Sequence, residues 1–443
     1  MIHHRKRSLL LAAMLVFVTF SASSTAYSVL THEELIDLAW NDCIKPLLLA
    51  RFPNATDDQL REAHAYAYGG SAIQDMGYYP FGKHFFSDLT HYVRAGDFVA
   101  YLFHDARNID EYAFAIGALS HYVGDTVGHS QAVNPSTAVE FPKLEKKFGH
   151  SVTYDESPHG HIRTEFAFDI DELAGQKFAP PAYLHAVGFQ VPRKALERAF
   201  INTYGIDAHE ILGRAHPALR SYSTSVRTFI PAFAEAELVL HRHQFPPHPN
   251  DDAYHLFEQR VDRTNFERHW KHAFKGPGFS AHMLAIFVFF VPKIGALSDL
   301  AIKIPNPETE EWYLNSVNHA VDRFRDLLNK LKNDGDNPLA LANLDLDTGA
   351  ITRPGTYPLT DQTYANLLHR LTSKPERTIP PHLKQNIEAY YANPEAPNTT
   401  KRNKQAWARV TAELQVLGQM KEGKPEMQSS DRAERVAGSA AIR

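Results

Sequence analysis

The stretch His121-Tyr122-Val123-Gly124-Asp125-Thr126-Val127-Gly128-His129 decides how this chain is read. It closes an apolar, small-residue segment from Asp110 to Gly128 whose pattern is helical. A step of four advances an α-helix by one turn plus a small angle, so His121, Asp125 and His129 are expected on one stripe. Two imidazoles flanking a carboxylate on an otherwise apolar helix form the donor set of a divalent zinc site. Chance placement of this composition gives roughly 0.2 copies of such a triplet. A second pair with the same spacing, His161 and Glu165, follows in His161-Ile162-Arg163-Thr164-Glu165.

Working outward, the rest of the chain is helical in pattern. Thr31-His32-Glu33-Glu34 and Thr56-Asp57-Asp58-Gln59 read as capping boxes. Pro46 marks a kink, Gly69-Gly70 a break, and Gln74 to Pro80 a loop. Further helices are expected over 85–97, 98–106, 160–172, 192–204, 219–240, 250–274 and 307–331. No sustained alternation suggests a sheet, and no internal repeat is present. Leu284 to Val291 is the most apolar stretch after the N-terminus. It is too short to span a bilayer and reads as a buried helix, the alternative being a surface that dips into lipid.

The N-terminus has the form of an export signal: His3-His4-Arg5-Lys6-Arg7, the apolar run Leu9 to Phe20, then small residues to Ala26. Cleavage after Ala26 makes Tyr27 the new terminus, and the expected location is periplasmic or secreted. The domain plan is a signal peptide over 1–26, a helical zinc-dependent domain over 27–333, a C-terminal extension with short helices over 334–420, and a disordered tail over 421–443. Cys43 is the only cysteine, which excludes an intramolecular disulfide framework, and its apolar setting predicts a buried structural thiol. The formal net charge of -5 gives no electrostatic footprint for a nucleic acid. The 25 histidines are the compositional outlier and favour metal chemistry.

Upstream of the stripe stand His32, Asp75 in an aromatic loop, and His84, which is preferred over His91 as the histidine of that region. His161 is preferred over His159 because only His161 has the spacing to Glu165. His104, His150, His255 and His282 have no partnered spacing. Neither His32-Glu33-Glu34-Leu35-Ile36 nor His209-Glu210-Ile211-Leu212-Gly213 carries the second histidine of a metalloprotease motif. Five histidines, two aspartates and a glutamate are too many for one tetrahedral ion and suit two or three zinc ions per chain.

This order of residues over 27–175 resembles the zinc-dependent phospholipase C family, which shares an all-α fold with single-strand nucleases. The resemblance implies an all-α, multi-helix phospholipase C/nuclease-like bundle with an extra helical C-terminal region. It implies zinc ligation by the Tyr27 main chain, His32, Asp75, His84, His121, Asp125, His129, His161 and Glu165, with Asp125 bridging two ions. It implies an exported zinc-dependent phosphodiesterase that cuts a phospholipid to diacylglycerol and a phosphorylated head group. Asp75 would orient or deprotonate the attacking water, and Tyr78 to Phe81 with Phe85 and Phe86 would line the substrate mouth. The partners implied are a phospholipid or other phosphodiester and a transient membrane contact, with no protein partner indicated. The alternatives are a single-strand nuclease or 3′-nucleotidase of the same fold, and a non-catalytic zinc-binding helical protein. No G-x-S-x-G nucleophile motif competes with these.

Overall fold

Two helices in near backbone contact set the frame, Asp57–Ser71 and Ile109–Gly128. The second starts at Asn108, whose side chain accepts from the Glu111 amide, with Asp110 and Glu111 favourably placed in its first turn. Every other residue of this helix is buried. The two cross at Gly70 and Gly117: a Cβ on Gly70 would come within 2.1 Å of the Phe114 carbonyl oxygen, and one on Gly117 within 2.1 Å of that of Ala67. Gly69-Gly70 therefore does not end the first helix, which runs to Ser71. Those glycines are spent on close approach, and the glycine penalty is outweighed by packing.

The computed structural model describes residues 27–213, 217–241, 243–244, 251–290, 302–334 and 339–424. Among them the fold is all-α with no strand; the only β-type contacts are isolated bridges, Leu344 with Ile351 and Ile379 with Glu422. Thr56 and Gln59 form the expected capping box. Thr31 does not cap: the first helix, Val29–Ala39, starts two residues earlier, and the Thr31 hydroxyl donates to Asp169 instead. A wide π turn over Trp40–Ile44 follows, so Pro46 falls at the start of the next helix, Lys45–Arg51, where its missing N–H costs nothing. The long Pro307–Asp334 helix packs against the central Ile109–Gly128 helix. One core cluster extends from Tyr27 to Met420, so the C-terminal region packs into the same core as the helices before it. The expected signal peptide over 1–26 lies outside the described residues, as does the tail from 425 on.

Two expectations change. Cys43 is only half-buried, although burial still raises its thiol pKa. The apolar Leu284 segment belongs to a helix, Phe279–Phe290, but it is not a buried one. Ala281, Ala285 and Val288 face inward, while Met283, Ile286 and Phe287 face outward.

Candidate metal centre

Six helical segments deliver the site: Val29–Ala39, the Gln74–Tyr78 3-10 turn, His84–Tyr92, Ile109–Gly128, the His129–Val133 π turn and Pro158–Ala174. Asp125 is its hub. Asp125 Oδ1 lies 3.3 Å from His32 Nε2. Its Oδ2 lies 3.0 Å from His121 Nε2 and 3.3 Å from His91 Nε2. Asp75 closes the far side, with Oδ1 3.2 Å from His91 Nε2 and Oδ2 3.8 Å from His121 Nδ1. The His32 and His121 rings stack with centroids 4.3 Å apart, and Gly124 leaves the room that His32 occupies. Two overlapping donor groups result: His32, His121 and Asp125, and Asp75, His91 and His121.

Beyond the end of the central helix a second nest gathers His129, His161 and Glu165. His161 Nδ1 lies 2.8 Å and His129 Nε2 3.8 Å from Glu165 Oε1. The sequence puts His129 on the stripe of His121 and Asp125. In the fold His129 opens a π turn, His129–Val133, and turns to the helix that carries His161. The i,i+4 spacing of His161 and Glu165 works as expected.

His84 is a correction. It sits exposed at the first turn of its helix, directly after the Pro80–Lys83 turn. His91, two turns on and on the same helical face, is buried and occupies the place assigned to His84. The signal was available in its flanks: Leu89 and Val93 around His91 are core residues, whereas Gly82 and Lys83 precede His84. His159 is exposed and His161 is not, as the spacing to Glu165 requires. The Tyr27 ring lies edge-on to His32 at 5.9 Å, packs over Gly128, and its hydroxyl bonds Ser316. Of the aromatics expected at a mouth, Tyr78 adjoins His91 at 5.8 Å. Tyr79 meets Tyr222 edge-on, Phe86 stacks on Phe200 in the core, and Phe81 is exposed.

The donor atoms are held in place from behind. His121 Nδ1 donates to the Ser71 carbonyl at 3.0 Å and His91 Nδ1 to that of Ser87 at 2.8 Å, which turns both Nε2 atoms toward Asp125. His129 Nδ1 donates to the Leu346 carbonyl at 2.9 Å, and His161 Nε2 to Asn134 Oδ1 at 2.7 Å. Such outer bonds fix tautomer and ring orientation in metal sites. The inner atoms are different. Both oxygens of Asp75 and Asp125, both ring nitrogens of His32, His129 Nε2 and His161 Nδ1 are buried and make no well-aligned hydrogen bond. Buried polar atoms are ordinarily satisfied, so unsatisfied lone pairs converging at 3–4 Å fit a cation rather than one another. The nitrogen and carboxylate donors are those zinc prefers.

Electrostatics agree with that fit. Burial holds His32 below its usual pKa, with His121 adding to the effect. Burial likewise lowers His161 to about 4. For His91 burial works against charging, but Asp125 and Asp75 outweigh it and the imidazole lies well above its usual value. Protons and zinc therefore compete for His91, and zinc binding is expected to release protons and to weaken as pH falls. Calorimetry of zinc binding in buffers of differing ionisation enthalpy measures this; no buffer dependence at neutral pH would contradict it. His91→Ala should reduce the release, the rest coming from His121, whose pKa is lowered by burial but raised on balance by Asp125 and Asp75, and His84→Ala should leave it intact.

The fold and these nests define a helical protein whose clustered histidines and carboxylates could hold a metal ion. Residues 31–212 match the family described as zinc dependent phospholipase C, a segment that covers less than half of the chain but contains every nest residue. The comparisons with curated proteins and with solved structures gave no match.

Proposed function

We propose that the chain is a zinc-dependent phosphoric diester hydrolase of phospholipase C type, exported and matured at Tyr27. The observation that carries the proposal is the pair of adjoining nests, buried and rich in unsatisfied donor atoms, inside the matched segment. His32, Asp75, His91, His121 and Asp125 would hold two ions, with the Tyr27 main chain beside His32. His129, His161 and Glu165 would hold a third. When bound, zinc supplies Lewis acidity that makes water acidic near neutral pH and neutralises phosphoryl oxygens.

The chain's own residues then have separate tasks. Asp75, with two buried oxygens facing His91 and His121, orients the attacking water and takes up its proton. Asp125 fixes three imidazoles at once and keeps the first two ion positions adjacent. Tyr78 and Tyr154 stand between the nests, Tyr78 near His91 and Tyr154 near His161, with ring centroids 6.3 Å apart. They give an apolar wall against which a phosphodiester substituent can rest. Water adds to phosphorus as the bond to the glycerol oxygen breaks, giving diacylglycerol and the phosphorylated head group.

A chromogenic choline phosphodiester tests the reading. Turnover is expected with zinc-loaded protein, lost on chelation and restored by zinc. Absence of turnover with full zinc would overturn it, and cleavage of single-stranded nucleic acid by that sample would reassign the site as a nuclease.

A further inference from the structure

The Phe279–Phe290 helix is built the wrong way round for a core element. Its small residues Ala281, Ala285 and Val288 face the protein, and Val288 packs with Phe233 of the Ile230–His241 helix. The large ones face solvent: Phe279 is 81% exposed, Ile286 52%, Met283 49% and Phe287 38%. Contiguous exposed apolar surface of this kind marks an interaction site. At 12 residues the helix is about 18 Å long, too short to cross a bilayer, and no described helix is long and apolar enough to do so.

The charge around it selects the partner. Residues 268–290 contain Arg268, Lys271, Lys275 and three histidines; the acid at their edge, Glu267, pairs with Lys271 and leaves Arg268 and Lys275 as the excess of positive charge. Aromatic and aliphatic side chains on one face, with a net excess of cations beside them, suit phosphate head groups over hydrocarbon. The helix is also tied to the candidate metal centre. It packs on the Ile230–His241 helix, which packs on Pro158–Ala174. There Phe166, next to Glu165, meets Phe233 at 5.9 Å.

We infer that the Phe279–Phe290 helix is an in-plane membrane-docking element, seating Phe279, Met283, Ile286 and Phe287 in the surface of a phospholipid bilayer. The choice of lipid as partner rests on the proposed phospholipase activity, but binding is measured without turnover, so the two can fail separately. Burial of these side chains supplies affinity and the neighbouring cations favour anionic lipid.

The test uses the full chain with Cys43→Ala and Ile286→Cys, carrying an environment-sensitive dye at 286. A second protein carries the dye at the exposed Glu388 through Glu388→Cys. Vesicles of equal parts phosphatidylcholine and phosphatidylglycerol should shift the dye at 286 to shorter wavelength and leave the dye at 388 unchanged. Unlabelled Phe279→Ser/Phe287→Ser should compete for vesicles roughly a hundredfold more weakly than the parent. Its turnover of a short, soluble phosphodiester should be unchanged. No shift at 286, an equal shift at both positions, or undiminished competition would overturn the inference. A shift without vesicles that grows with protein concentration would overturn it in favour of a second copy of this chain. Insertion with no turnover of any phosphodiester would leave the docking helix standing and remove the phospholipase reading.

Discussion

Asp125→Asn is expected to lower zinc affinity by at least about a hundredfold and to abolish phosphodiester turnover. The substitution keeps volume and removes charge at the one carboxylate that faces His32, His91 and His121 together. Two of the proposed ion positions share it, so its loss should reduce occupancy at both rather than at one. The metal-free state should suffer as well. Burial opposes ionisation of Asp125, yet the surrounding imidazoles, His121 foremost, hold its pKa well below the usual carboxylate range. That lowered value corresponds to stability present above the unfolded carboxylate pKa and lost as pH falls through the folded one. Removing one partner of a buried charge pair costs roughly 3 kcal/mol or more. Chelated Asp125→Asn should therefore melt below chelated parent at pH 7, with the gap narrowing in acid. Unchanged zinc content, or equal melting of the two chelated proteins at pH 7, would contradict the assignment of Asp125 as hub.

Disabling the segment around Leu346 and Asp347 is expected to weaken zinc binding at the second nest although no residue of that nest is changed. This segment lies far beyond the matched 31–212 region, yet it reaches both nests. The Leu346 amide donates to the His91 carbonyl, and the Leu346 carbonyl accepts from His129 Nδ1. The Asp347 carbonyl accepts from Asn134, whose side chain in turn holds His161. Asp347 Oδ2 accepts from the Tyr92 and Tyr357 hydroxyls, and its Oδ1 stands 3.6 Å from His129 Nδ1. Gly349 adopts φ 68° and packs on the Thr126 carbonyl, a conformation and approach that a larger residue would not reach. Outer-shell partners of this kind are worth about 10–100-fold in metal affinity. Asp347→Ala and Asn134→Ala should each weaken zinc at His129, His161 and Glu165 by that factor while the other ions remain. Competition with a chelating dye resolves the stepwise constants; loss confined to the Asp125 nest would contradict this arrangement.

The residues that were legible in the sequence are those whose chemistry repeats at helical spacing. His121 with Asp125, and His161 with Glu165, are brought together as their i,i+4 intervals require, because each pair lies within one unbroken helix. His32 and Asp75 also arrive at the nest, although long-range packing and not spacing places them. Spacing does not separate His84 from His91, which lie seven residues apart on one face; only the apolar flanks Leu89 and Val93 mark His91 as the one that meets the core. The Leu346-Asp347 segment was hidden more deeply. It lies in a stretch with no sustained helical or strand period, and its roles belong mostly to main-chain atoms, which leave no mark on residue type. Its one side-chain trace is the alternation Leu344-Asp345-Leu346-Asp347, all four of them buried. Gly69-Gly70 misled in the opposite direction, because a glycine pair reads as a break when its neighbour helix is unknown. The all-α class itself followed from periodicity and capping, which do not depend on tertiary contact.

The central claim is that zinc sits at these donor groups. Anomalous diffraction at the zinc edge, on crystals of zinc-loaded protein, locates the ions directly. One peak is expected among His32, His121 and Asp125, a second among Asp75, His91 and His121, and a third among His129, His161 and Glu165. Zinc-loaded protein with peaks only at surface histidines such as His84 or His150, and none at Asp125, would contradict it.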